Sequence, residues 1–186
     1  MSFDPVAQTF LISRQNFPNG LFLDSISVFF KTKPTVDTSP ITLSIVETLN
    51  GYPISKTVDN SVVTLFPEDV VTSDTPQFLD TTTKTTFKFS SPVYVQSETL
   101  YAFILKSKSK EYVLYSAAAG ESAFDSSTKN TPDGVVNKTQ LSSAPYIGGV
   151  FTSQNAQTWI VDPNQSLMFV IDRCVFSSPT ATLAFV

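Results

Sequence analysis

The chain contains no histidine and only one cysteine, Cys174. Without histidine it lacks the commonest general base and the commonest transition-metal ligand. A Ser-His-Asp hydrolase is excluded, and no G-x-S-x-G segment occurs. Cys174 has no partner for an internal disulfide and no histidine to activate it as a nucleophile. It lies in the apolar run LMFVIDRCVF, which predicts a buried structural thiol.

Charge is scarce as well. Charged residues make up 15 % of the chain and the net charge is −4, against about 25 % charged residues in an average globular protein. Phosphate binding needs several convergent cations, and the richest basic stretch is KSKSKE, Lys106 to Glu111. Its alternation predicts a solvated hairpin tip, so no nucleic-acid partner is expected. The chain shows no apolar run near the ~18 residues of a membrane span. Its start, MSFDPVAQTF, lacks a basic segment followed by an apolar one, so no secretory signal is expected.

With only six glycines, phosphate-cradling loops are missing too: neither a Walker segment nor G-x-G-x-x-G is present. Gly148-Gly149 predicts a bend or a close backbone approach. The adjacent carboxylates Glu68-Asp69 in FPEDVV would face opposite ways on an extended chain and so would not flank one bond. A place in a turn is expected for them. Asp162 and Asn164 in DPNQS have the i, i+2 spacing of some calcium loops, but further carboxylates are lacking, and an Asx-turn accounts for them. No catalytic residue, metal or other cofactor is expected.

What is abundant is strand signal. Hydrophobic residues make up 41 %, a globular composition. TFLI, LDSISVFFK, ITLSIVE, SVVTLF, TTFKFS, PVYV, TLYAFILK, EYVLYSA, GGVFTS, LMFVIDRCVF and ATLAFV are short and rich in β-branched and aromatic residues. Turn signals such as FPNG, LNGYP, TPDG and VDPNQS separate them. The pattern predicts an all-β fold: a β-sandwich or jelly roll of short, mostly antiparallel strands with little or no helix. One domain over residues 1–186 is expected, with a long polar excursion at 122–144 and a C-terminal extension at 177–186. YSAAAGESAF has the composition for one helical turn, although Gly120 interrupts it and the preceding strand can equally continue.

Alternation assigns a core: Phe10, Ile26, Val28, Phe30, Leu43, Ile45, Phe87, Phe89, Tyr101, Phe103, Leu105, Phe169 and Ile171. In ITLSIVE the opposite parity, Thr42 and Ser44, predicts a wet face. LMFVIDRCVF is apolar on both parities, which predicts a central strand covered on both sides. Asp172, among apolar neighbours there, calls for a buried ion pair or an edge position. Asn50-Gly51 predicts a tight hairpin turn with positive φ.

The single tryptophan follows a run of amides in GGVFTSQNAQTW. Two readings stay open. Trp159 would stack a sugar, with Gln154, Asn155 and Gln157 supplying hydrogen bonds and Tyr146 nearby. Otherwise it covers one end of the core.

The order of DPVAQTF, NGYP and SQNAQTW, within DPVAQTFLI, LFLDSISVFFKTKP, ITLSIVETLNGYPISK and APYIGGVFTSQNAQTWIVDPNQSLMFVIDRCVF, carries a resemblance. From Asp4 to about Phe176 the chain resembles a β-sandwich domain of baseplate and tail virion proteins from large contractile-tailed bacteriophages of marine and cyanobacterial type. In that family the module usually sits inside much larger chains. The resemblance implies a non-enzymatic assembly protein in the virion, made in the host cytoplasm and docked on other virion proteins in multiple copies. The segments SSPVYVQSETLYAFIL and TWIVDPNQSLMFVI also resemble jelly rolls attached to adhesins and carbohydrate-active enzymes, which implies an alternative: a receptor- or carbohydrate-binding module with a host surface glycan as partner. The apolar end of SSPTATLAFV, with Ala181, Leu183 and Phe185 on one parity, either folds back onto its own sheet or pairs with a neighbouring subunit; as Pro179 breaks the route back, it is the candidate assembly strand.

Overall fold

The computed structural model describes residues 4–118 and 148–176. The expected excursion at 122–144, Tyr146, and the strand carrying Ala181, Leu183 and Phe185 lie outside the described residues. The fold is all-β. In chain order the strands are β1 (Val6–Leu11), β2 (Leu21–Val28), β3 (Phe30–Thr32), β4 (Ile41–Leu49), β5 (Tyr52–Thr57), β6 (Val63–Leu65), β7 (Thr85–Val95) and β8 (Leu100–Ser107). Then follow β9 (Val113–Leu114), β10 (Ser116–Ala118), β11 (Val150–Thr152), β12 (Ile160–Asp162), β13 (Gln165–Leu167) and β14 (Phe169–Arg173). The helical structure among the described residues is one 3-10 turn, Pro67–Asp69, which holds Glu68 and Asp69.

One sheet has the order β12-β11-β1-β8-β4-β5, with β6 also on β4. Every ladder in it is antiparallel. The second layer is built on β14-β2-β7. Past the pair Val28↔Phe169 this layer divides, and the segment from Val113 to Ala118 runs into the gap. There Tyr115 donates its N–H to Phe29 O at 2.9 Å and accepts from Met168 N–H at 2.9 Å.

Strand parity builds the core between the layers. Phe10, Leu43, Ile45, Tyr101, Phe103 and Leu105 come from the large sheet, and Ile26, Val28, Phe30, Phe87 and Phe89 from the other side. All are buried, as expected. The opposite face of the large sheet is not uniformly wet. The registers Ala7↔Ile104, Ala7↔Phe151 and Val46↔Ala102 gather a second apolar cluster there, and Trp159 belongs to it.

The structure corrects several expectations. LMFVIDRCVF is not a central strand: it breaks into β13 and β14, and β14 lies at a sheet edge. Phe169 and Ile171 are half-buried, packing against the core without being enclosed by it, and Val175 and Phe176 are exposed. An apolar run on both parities cannot distinguish a covered strand from an edge strand whose outer face stays open. Cys174 is likewise half-buried rather than enclosed, its backbone N–H held by Phe22 O at 2.8 Å. Asp172 takes the edge option: it is exposed and accepts a hydrogen bond from Ser25 Oγ at 3.4 Å.

KSKSKE is not a hairpin tip. It carries the chain from β8 in the large sheet to β9 in the second layer, and serines pin it. Ser107 Oγ donates to Pro40 O at 2.9 Å, and Ser109 Oγ accepts from Glu111 N–H at 3.3 Å. TTFKFS and PVYV are one strand, β7, with Pro92 exposed on it. Proline is tolerated there because β7 has a ladder on one side only. After EYVLY the chain continues as strand through Ala118.

Candidate functional site

DPVAQTF and NGYP come together with GGVF, the strand that precedes SQNAQTW, while SQNAQTW itself stays outside the place where they meet. DPVAQTF becomes β1, between β8 and β11. NGYP makes the β4–β5 turn: Asn50 and Gly51 have φ of 52° and 84°, and Leu49 pairs directly with Tyr52. These are the two positive angles that a two-residue primed turn requires. GGVFTSQNAQTW forms β11 and the loop to β12.

Contacts lock these pieces together. Gly149 N–H donates to Thr9 Oγ1 at 2.9 Å, and Thr9 N–H donates to Gly149 O at 3.3 Å. A Cβ on Gly149 would stand 3.0 Å from the Val161 side chain, so glycine lets β12 approach this closely. The Tyr52 ring meets Phe151 edge-to-face, centroids 5.6 Å apart, a favoured arrangement for aromatic pairs.

The result is a groove of about 330 Å³ with Tyr52, Phe151, Val161 and Pro163 as walls and backbone at Gly51 and Gly149. Its lining is chiefly apolar. Beside it, β12 is an outer strand of the large sheet, and no described residue pairs with its free edge. Ile160 on that strand is 72 % exposed. The opposite outer strand, β5, is guarded by Pro53 and by Lys56, which pairs with Glu47 at 2.7 Å. Proline and lysine on an edge discourage strand addition. β12 and β5 are thus chemically unlike edges, and among the described residues that of β12 is open.

The loop before Trp159 is self-satisfied. Asn155 Oδ1 accepts from the backbone N–H groups of Gln157 at 2.9 Å and Thr158 at 2.8 Å. Ser153 Oγ accepts from Asn155 N–H at 3.3 Å, and Ala156 has φ 58°. This is Asx-turn chemistry. Gln154 and Gln157 point to solvent, whereas Trp159 is 8 % exposed among Ala7, Val46, Ala102, Ile104 and Phe151. The tryptophan and the amides are therefore neighbours in sequence that serve different sides of the loop, and Tyr146 lies outside the described residues.

Among the described residues no three His, Cys, Asp or Glu side chains stand close enough to share a metal ion. Asp162 Oδ1 accepts Asn164 N–H at 3.0 Å, the Asx-turn expected of DPNQS. Among the described residues no helix is long and apolar enough to cross a membrane.

Sequence reasoning did not single out Tyr52, Ile160, Val161 or Pro163. A signal existed in the two-residue NG turn, which fixes where Tyr52 emerges. The convergence of NGYP with GGVF depends on strand order, which no local pattern encodes. Comparison of the chain with family models, with curated proteins and with solved structures finds no match.

Proposed function

We propose that the chain is a non-enzymatic structural protein of a contractile-tailed bacteriophage virion, a tail or baseplate module that docks on neighbouring virion subunits. The observation that carries this reading is the convergence of DPVAQTF, NGYP and GGVF on the apolar groove at Tyr52 and Phe151, beside the open edge of β12. An apolar groove next to a strand edge that no described residue pairs suits an extended protein segment: backbone hydrogen bonds supply affinity and the groove takes alternate side chains. The scarcity of charge supports a protein partner over a steered small substrate. The occupant is a strand from an adjoining virion protein, present in multiple copies around the tail.

The test uses Tyr52→Ala and Val161→Asp, both at exposed positions. Each variant should remain folded by circular dichroism and be depleted from purified particles assembled in a complementation system. Undiminished incorporation of both variants would overturn the groove as the docking surface. Absence of the wild-type chain from purified virions would overturn the virion role itself.

A further inference from the structure

A second hollow, of about 450 Å³, shares no lining residue with the groove and has the opposite character. It opens beside β4 and β5, between the turn after β5 and the end of β7. Its lining is more polar than apolar.

The turn is held rigidly. Val58 N–H donates to Ile45 O at 2.9 Å. Ser61, fully buried, accepts Ile45 N–H on its Oγ at 3.1 Å and donates to Val58 O at 2.6 Å. Asn60 takes the left-handed φ of 61° that closes the turn. Asp59 and Asn60 are thereby presented at the rim with little freedom left to lose on binding. On β4 and β5, Glu47 and Lys56 pair at 2.7 Å and offer an acceptor and a donor from the other rim.

An aromatic wall and a buried hydroxyl complete the hollow. Tyr94 is 44 % exposed, its ring fixed because Oη donates to Asn19 O at 2.8 Å and Phe22 packs beside it at 5.2 Å. Tyr101 is 7 % exposed, with its ring stacked on Phe10. Its Oη accepts Gln96 N–H at 3.2 Å, but its own proton has no acceptor among the described residues. Tyr101 lines the open hollow, and its hydroxyl proton is free to donate to a ligand oxygen there.

The mixture of groups selects the ligand class. Two carboxylates against one lysine disfavour phosphate or another anion. Polar walls disfavour an apolar peptide side chain, and the carboxylates are too few for a cation cage. Hydroxyl donors and acceptors on one face and C–H groups on the other are what carboxylates, amides and a tyrosine ring recognise together. We propose that this hollow is a carbohydrate subsite that holds one hexopyranose unit of a glycan, its C–H face against Tyr94, its hydroxyls donating to Glu47 and Asp59, and a ring or hydroxyl oxygen accepting from Tyr101.

The experiment is a glycan array probed with the labelled full chain, followed by titration of the best-retained glycan. Wild type should retain hexose-containing glycans. Asp59→Ala should weaken retention about tenfold or more, because it removes a charge-assisted hydrogen bond. Tyr101→Phe, which keeps the stacked ring, should weaken it severalfold, while the loop variants Gln154→Ala and Gln157→Ala leave it unchanged. Backbone amide shifts of Asp59, Asn60 and Gln96 should move on titration. No retention of any glycan by folded wild type would overturn the proposal. So would retention that survives Asp59→Ala and fails in Gln157→Ala, or preference for a lysine-rich peptide over every glycan. None of these outcomes bears on incorporation into particles, so failure here is separable from failure of the assembly reading.

Discussion

Gln8 is a polar side chain in the interior of the sandwich, and the structure accounts for it. Its Oε1 accepts Leu167 N–H at 2.8 Å and its Nε2 donates to Thr9 O at 3.0 Å, so one amide ties the large sheet to β13. Gln8→Leu would leave the Leu167 N–H buried without a partner, a cost of about 1–3 kcal/mol. Thermal unfolding should show that loss; an unchanged transition would mean the site relaxes to admit water. Phe103 tests the apolar part of the same core. Fully buried, it contacts Phe10 at 6.5 Å and Phe169 at 5.3 Å between ring centroids. Phe103→Ala should destabilise by about 3–5 kcal/mol, the range for large aromatic truncations; chemical denaturation measures it directly. Parity alone placed Phe103, Leu43 and Ile45 inside. It could not place Gln8, because a buried amide is recognisable only from the backbone group that it satisfies.

Elements differ in how far they can be read from the sequence. The NG turn was legible because only φ > 0 chemistry closes a two-residue hairpin, and both residues have that conformation. A Cβ at Gly51 would meet nothing within 4 Å, so any penalty there is conformational. Gly51→Val should cost about 1–3 kcal/mol, and Gly51→Asn much less, a difference that paired melting curves would resolve. LMFVIDRCVF was not legible, since edge and centre share one hydrophobic pattern until the neighbouring strands are known. Nor was the path of KSKSKE, because the serines that pin the crossing look like ordinary solvent-facing residues. That crossing also has a titration signature. Tyr112 donates to Ser39 O at 2.9 Å, and burial, with Asp37 and Glu68 nearby, pushes its hydroxyl up to about 12. The folded state favours the neutral phenol. Its contribution is therefore complete below the ordinary value of 10.0 and is lost as pH rises towards about 12. Stability should fall less steeply across that window in Tyr112→Phe than in wild type; equal slopes would show that the crossing does not feel the ionisation.

At the scale of the whole molecule, a two-layer sandwich offers two unlike surfaces: an apolar groove beside an open edge, and a polar hollow walled by tyrosine. The sandwich class was legible from strand spacing and turn residues. The groove was not, because β1, the β4–β5 turn and β11 meet only through the order β11-β1-β8-β4-β5. In the proposed role, the groove docks a neighbouring virion subunit. Image reconstruction of purified particles tests it most directly. The expected reconstruction shows this sandwich in the tail or baseplate, with a strand of an adjoining subunit along β12 and its side chains between Tyr52 and Val161. A particle that contains the chain with that groove open to solvent, or purified virions that lack the chain altogether, would contradict it.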